Sequence, residues 1–495
     1  MASSHEPALA DDPGQPGGIQ PPDGLEDVDI DDSPPMGNFM VLAETMDPLL
    51  TVDEKRQVRI AAYQLIRERY NGGVKLFTKD LFRDVVRVFD SAAADSERDS
   101  SAPRPHVVSV TGLDGVVVDF PIQIGEVYPF SPFGSNAVCV KTKPQLHYNT
   151  IESLLHDRDI DVFSISRAFL PVEVCHATEF RHPITGERVE PWPNVGYDVV
   201  KHRFDRARQT FEASNRWETI KTHLSVALGL LGGGANFEPG DDGNGHVRRT
   251  NPASRGPAPT ATPVRNIVAF ALSTMSVAEN RYDMAETSAT QHAMLVVIRD
   301  FFQDQVVVAW RAGAIRPWDI AVAAPSTTTP TTTTRTTTIN PRDLETPPPP
   351  TSDVLAGHPA PFPCIVQDPV YTPVDKQVLA EAGITVVDDP RAFLAVDEAS
   401  VLVSINPDVP VRQIVADIAR PAVMVWNRVY KEEAAEDGVL STDPASQRVL
   451  DMIEEYIELP FPARIDDEHF SGDLAIYIRK DICARGLFED DQSGI

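Results

Sequence analysis

The run PCIVQDPVYTPVDKQVLAEAGITVVDD, residues 363–389, packs three elements into close succession. PCIVQDP (363–369) is an apolar stretch too short for a helix and closed by a turn-prone Asp-Pro pair. Thr372 then stands at a helix N-cap, Pro373 at the first helical position, Asp375 at the third and Gly383 at the stop, which predicts a helix over 372–383. ITVVDD (384–389) reads as a second strand. Strand, helix and strand in this order make a crossover unit, the connection that parallel strands need.

The same alternation continues on both sides. Upstream, VRNIVAFAL (264–272) is an apolar strand ending in the loop STMS, and SATQHAMLVVIRDFF (288–302) is a helix. Downstream come SVLVSINPD (400–408) as a strand, VPVRQIVADIAR (409–420) as a helix and PAVMVW (421–426) as a strand. A helix over 443–457 and a strand DLAIYIRK (473–480) complete the run. Strands apolar at every position are covered on both faces, so the fold class expected is α/β, a Rossmann-like, doubly wound, mostly parallel sheet over residues 264–485.

The rest of the 495 residues is less uniform. Residues 1–45 hold ten Asp or Glu, no Lys or Arg and many Pro and Gly, and are expected to form a disordered acidic tail. Residues 46–234 read as a mainly helical region with one small hairpin. A Thr51–Glu54 capping box opens its first helix, Thr78 caps its second, HVVSV and VVVDF flank the turn TGLDG, and one long helix is expected from Arg203 to Leu231. Residues 235–263 form a linker, and the Thr/Pro tract 324–351 a solvated, disordered insertion.

A formal net charge of −29 argues against nucleic acid and anionic membrane surfaces as partners. The start of the chain lacks the basic and apolar regions of a signal peptide, and no apolar run is long enough to span a bilayer. Cys139, Cys175, Cys364 and Cys483 are far apart and form no CxxC pair, as expected of free thiols in a reducing compartment. The cytoplasm is the expected location, with the nucleus left open. No metal site is expected, because Cys175-His176 with His182 has no metal-ligand spacing.

Several of these elements resemble the fungal branch of the sensitivity-to-red-light-reduced domain family: NIVAFALSTMS, SATQHAMLVVIRDFF, IVQDPVYTPVDKQVLAEAGITVVDD, SVLVSINPDVPVRQIVADIARPAVMVW and GDLAIYIRK. The run from Gln367 to Asp389 is the most specific of them. The resemblance implies regulation, through light and clock signalling in plant relatives and haem synthesis in animal ones, and it brings no catalytic mechanism. Two departures stand out. Relatives often carry G-x-G-S after the first strand where this chain has Ala271, Leu272 and Ser273, which lowers the expectation of dinucleotide binding. Plant and animal relatives tend to have Pro-His after the fourth strand where this chain has Asn406-Pro407-Asp408, so chemistry resting on that histidine does not transfer.

In open α/β sheets ligands bind beyond the carboxyl ends of the strands. Those ends supply the candidate ligand residues Ser273, Thr274, Asp368, Tyr371, Ser404, Asn406 and Asn427. Asn406 and Asn427 read more plainly as turn residues, and for Asp368 the two readings balance. Asp375 reads as a helix-capping acid facing the dipole, Asp388-Asp389-Pro390 as a turn, and His292 as a packing or surface residue. The chain has no nucleophile elbow, Walker loop or H-E-x-x-H. Two hypotheses remain. One is a regulatory or scaffold protein that works through a protein partner, gated by a small metabolite. The other is an enzyme with a nucleotide or S-adenosylmethionine at the strand ends. The missing glycines favour the first, and no cofactor is assigned.

Overall fold

The structure is a computed structural model that describes residues 51–96, 106–128, 138–155, 169–189, 194–230, 264–277, 282–311, 361–430, 442–462, 467, 469–470 and 472–483. The tail 1–45, the linker 235–263 and the insertion 324–351 lie outside the described residues. Helix α1 (Val52–Asn71) starts where the sequence places it. The Thr51 hydroxyl accepts from Glu54 N at 3.3 Å, and the Glu54 carboxylate accepts from Thr51 N at 2.8 Å. Helix α2 (Lys79–Ser96) is capped by Thr78. Strands β1 (His106–Thr111) and β2 (Val117–Ile122) pair as the expected antiparallel hairpin.

The mainly helical reading of residues 46–234 is too narrow. Strands β3 (Val127–Tyr128), β4 (Val138–Tyr148), β5 (Val172–Arg181) and β6 (Arg188–Val189) form a four-stranded antiparallel sheet, with the short helix α3 (Ile151–Leu155) between β4 and β5. Pro144 concealed β4, since proline cannot donate to a ladder; it sits where the β4–β5 register shifts. The expected single helix from Arg203 is two helices, α4 (Tyr197–Glu212) and α5 (Asn215–Ala227). Ser214 divides them, its hydroxyl accepting from Trp217 N at 3.1 Å as the cap of α5.

The second half alternates β7 (Asn266–Phe270), α6 (Tyr282–Arg311), β8 (Cys364–Gln367), α7 (Pro373–Glu381), β9 (Thr385–Val386), α8 (Arg391–Ala395), β10 (Ser400–Ser404), α9 (Val411–Ile418) and β11 (Val423–Asn427). Then follow α10 (Gln447–Ile453), β12 (Tyr456–Pro460) and β13 (Leu474–Arg479). The seven strands form one sheet in the order β12-β13-β11-β10-β7-β8-β9. The strands from β11 to β9 are all parallel, and β13 is antiparallel to both β11 and β12. The fold is therefore α/β with a mixed, mostly parallel sheet. Helix 443–457 is corrected to α10 followed by β12, so Ile457 lies in a strand.

Alternation along each strand divides the core in two. Val401 and Val403 of β10 face a cluster built with α4, α5, α6 and α7. Leu402 faces the opposite cluster, which includes residues of α1, α2, β4, α8, α9 and α10. The N-terminal elements thus cover both faces of the seven-stranded sheet, and all described residues belong to one compact unit. Among the described residues no helix is long and apolar enough to cross a membrane.

Candidate functional site

Parallel strands end together, so their carboxyl-end loops meet along one rim. On that rim the loop after β7 adopts an unusual course. Ala271 and Ser273 have φ of 57° and 61°, the left-handed region that glycine enters without cost. Neither residue is a glycine, yet both hold a backbone conformation that favours one. Across the rim, Asn406 after β10 has φ 47°. These are the non-glycine residues with positive φ among the described residues, and all of them follow β7 or β10. The order of the sheet reverses between those two neighbouring strands.

The β7 loop is held by two aspartates. Asp375, fully buried at the start of α7, accepts from Thr274 Oγ1 at 2.5 Å, Met275 N at 3.0 Å and Ser276 Oγ at 3.3 Å. It also accepts from Thr372 N at 2.9 Å to close the α7 capping box. Asp368, following β8, accepts from Ser273 N at 2.8 Å and Val370 N at 3.1 Å. It is both a turn residue and a brace for the loop. Burial pushes the Asp368 carboxyl up from its ordinary value, the carboxylates of Asp408 and Asp375 adding to the rise.

Tyr371 points away from the rim into the core, where its hydroxyl donates to His292 Nε2 at 2.7 Å. His292 in turn donates from Nδ1 to Ser288 O at 2.7 Å, which fixes the tautomer. Burial pushes the His292 ring down to about 4, so it is neutral at physiological pH. The Ser288 hydroxyl donates to Ser273 O at 3.0 Å, so this chain of side chains also supports the β7 loop.

Asn406 and Asn427 are brought together. Asn427 Oδ1 accepts from Asn406 N at 2.8 Å, and Asn427 Nδ2 donates to Asn406 Oδ1 at 2.6 Å. They line a pocket of about 410 Å³ with Asp408, Arg412, Arg428 and Asp473 among its walls. Arg428 bridges Asp473 at 2.8 Å and Glu458 at 2.9 Å, and the Tyr430 hydroxyl donates to Asp473. Gly472 passes so close to Asn427 that an added Cβ would lie 2.8 Å from its Nδ2. Ser404 is elsewhere. It is buried in the sheet in register with Trp426, and neither Ser404 Oγ nor Trp426 Nε1 has a hydrogen-bond partner among the described residues.

The seven candidates therefore fall into three places: Ser273, Thr274, Asp368 and Tyr371 in and behind the β7 loop, Asn406 and Asn427 in the pocket, and Ser404 in the sheet. Sequence reading did not find the clamp made by Asp375, nor Arg412, Tyr430 and Asp473 as pocket walls. Asp389 stands in a turn, as read, and its carboxylate also accepts from Tyr148, Leu146 and Gln367, which sequence reading did not find. Asp375 had a local signal, the Thr-Pro-x-Asp cap; the others are set by contacts distant in sequence. Among the described residues no group of three or more His, Cys, Asp or Glu could hold a metal ion.

No curated protein and no solved structure matches the chain. A family model does, over residues 354–477. The match takes in β8 to β12 and most of β13, while β7, which lies between β8 and β10, comes from outside it. Its Asp368, Tyr371, Ser404, Asn406 and Asn427 are all within the matched span. Residues 354–477 match the model of the SRR1 domain, named for sensitivity to red light reduced.

Proposed function

We propose that the chain is an intracellular regulatory protein whose SRR1 domain is a Rossmann-like module that binds a small polar metabolite at its strand ends and acts through a protein partner. The parallel strands in chain order run 3-2-1-4-5 across the sheet, the order of doubly wound nucleotide-binding folds. One observation carries the reading: among the described residues, the non-glycine residues with positive φ all lie at the ends of β7 and β10, on either side of the order reversal. Non-glycine residues in that region cost about 1–2 kcal/mol each, and such strain gathers at functional sites. The pocket beside Asn406 and Asn427 offers donors and acceptors suited to a polar molecule.

A second reading, an enzyme using a nucleotide or S-adenosylmethionine, is favoured by the strand order and by an acid, Asp368, after the second strand. Against a phosphate cradle, the backbone N–H groups of Ser273, Met275 and Ser276 are already given to Asp368, Asp375 and Thr274. Native mass spectrometry of the full chain tests both readings. The regulatory reading expects a co-purifying small molecule that is lost on denaturation and weakened by Asn427→Leu, with no turnover of added S-adenosylmethionine or NAD. Turnover of either would favour the enzyme. No bound molecule, together with no thermal shift across a metabolite panel, would remove the ligand-binding reading.

A further inference from the structure

The pocket beyond β10 and β11 has walls of a particular charge. At about 410 Å³ it has the volume of a small-molecule site. Its charged walls are Asp408, Asp443 and Asp473 against Arg412 and Arg428, three carboxylates to two guanidiniums, a net charge of −1. Glu458 of β12, which bridges Arg428, brings this to −2. The cavity is thus negative, although two arginines line it.

The donors on these walls are directed at the protein itself. Arg428 Nη1 donates to Asp473 Oδ2 at 2.8 Å, and its Nε faces Glu458 at 2.9 Å. Arg412 is buried, its Nε 3.5 Å from Asp443 Oδ2 and its backbone N donating to Asp443 Oδ1 at 2.9 Å. The Tyr430 hydroxyl donates to Asp473, the Thr442 hydroxyl to Pro407 O at 2.7 Å, and Asn427 Nδ2 to Asn406 Oδ1 at 2.6 Å. Both positive charges are therefore matched within the protein. Asp408 is the exception among the carboxylates: it is exposed, lines the pocket and has no ion pair among the described residues.

What the walls leave for a guest is acceptor oxygen and unmatched negative charge. A carboxylate accepts hydrogen bonds and donates none. An anionic guest would have to draw an arginine away from Asp443, or from Asp473 and Glu458, and leave a carboxylate without its partner. An ammonium group displaces nothing, and brings three N–H donors and the missing charge. We propose that this pocket binds a small primary amine, its ammonium group held by Asp408, and selects against phosphates and dicarboxylates of similar size. This rests on the pocket being a ligand site, as proposed above, and names the chemistry of the ligand.

Three probes with the same four-carbon chain separate charge from shape: 1,4-diaminobutane, 1,4-butanediol and succinate, each titrated calorimetrically into the full chain at pH 7. The diamine should bind one-to-one, with the diol and succinate at least about tenfold weaker. The chain carries a net charge of −29, so a dication also gathers loosely on its surface, and two variants separate the pocket from that background. Asp408→Asn keeps the shape and removes the charge, and should weaken the diamine about tenfold or more, as loss of a charged hydrogen bond does. Asp80→Asn, at an exposed acid on α2, should leave the diamine affinity unchanged. Equal diamine affinity in Asp408→Asn and wild type, an equal loss in Asp80→Asn, or a preference for the diol or succinate overturns the amine assignment. Failure of all three probes overturns it too. A co-purifying molecule weakened by Asn427→Leu would in that case still make the pocket a ligand site, so the two readings fail separately.

Discussion

Replacing Asp375 with alanine removes one carboxylate and disturbs both ends of the strand-end loop. The Asp375 side chain is fully buried and serves Thr274, Met275, Ser276 and Thr372 at once. The three hydroxyls can re-pair, since Ser276 Oγ already lies 2.9 Å from both Thr274 Oγ1 and Thr372 Oγ1. The backbone N–H groups of Met275 and Thr372 have no such recourse. Loss of the cap costs about 1 kcal/mol, and a stranded buried donor about 1–3 kcal/mol. Together these give about 2–4 kcal/mol, measured by equilibrium urea unfolding of the full chain. Thr274→Val should cost less, and the double variant should be non-additive by about 1 kcal/mol or more, as contacting residues are. Asp375→Ala within about 1 kcal/mol of wild type, or strict additivity with Thr274→Val, would refute the clamp.

Val403, fully buried in β10, should not tolerate a carboxylate; Val403→Asp is expected to cost more than about 4 kcal/mol, and a soluble, cooperatively melting variant would contradict the central-strand placement. His292 is held neutral with its ring pushed down to about 4 from 6.5, so its contribution to stability is present above pH 6.5 and is lost as pH falls through 4. His292→Gln should therefore reduce the acid-induced loss of stability in that window by about 3 kcal/mol, read from urea titrations at pH 7 and pH 4. Ser273→Gly should raise stability by up to about 1 kcal/mol because it relieves a left-handed serine, and a clear fall in melting temperature would deny the strain.

The α/β alternation was legible because β7, β8, β10 and β11 are apolar at nearly every position and the helix caps are local. Thr51, Thr78 and Thr372 each cap the helix their sequence announces. The four-stranded sheet was hidden, since β4 carries Lys, Pro and His and its pairing with β5 spans a long loop. Strand β12 was absorbed into a helix because Tyr456 and Ile457 extend the apolar spacing of α10. The site was legible only as a rim. Topology brings strand ends together, but which side chains face the pocket depends on partners such as Asp473 and Gly472, far along the chain. The left-handed backbone at Ala271 and Ser273 had no signal in the side chains, since neither residue is a glycine.

The position of β7 also bears on how the protein is made. It is the first strand of its sheet to leave the ribosome and ends up in the middle of the five parallel strands, between β8 and β10. Roughly ninety residues separate the end of β7 from the start of β8, and β10 follows later still. At about 5–20 residues per second, a fully apolar segment waits some 5–20 s for its first neighbour. Until then its ladder groups are unpaired, the condition in which nascent strands associate with the wrong chain. In the folded chain α4 and α5, made before β7, share one core cluster with its Ile267 and Ala269, so cover for that face already exists when the strand emerges.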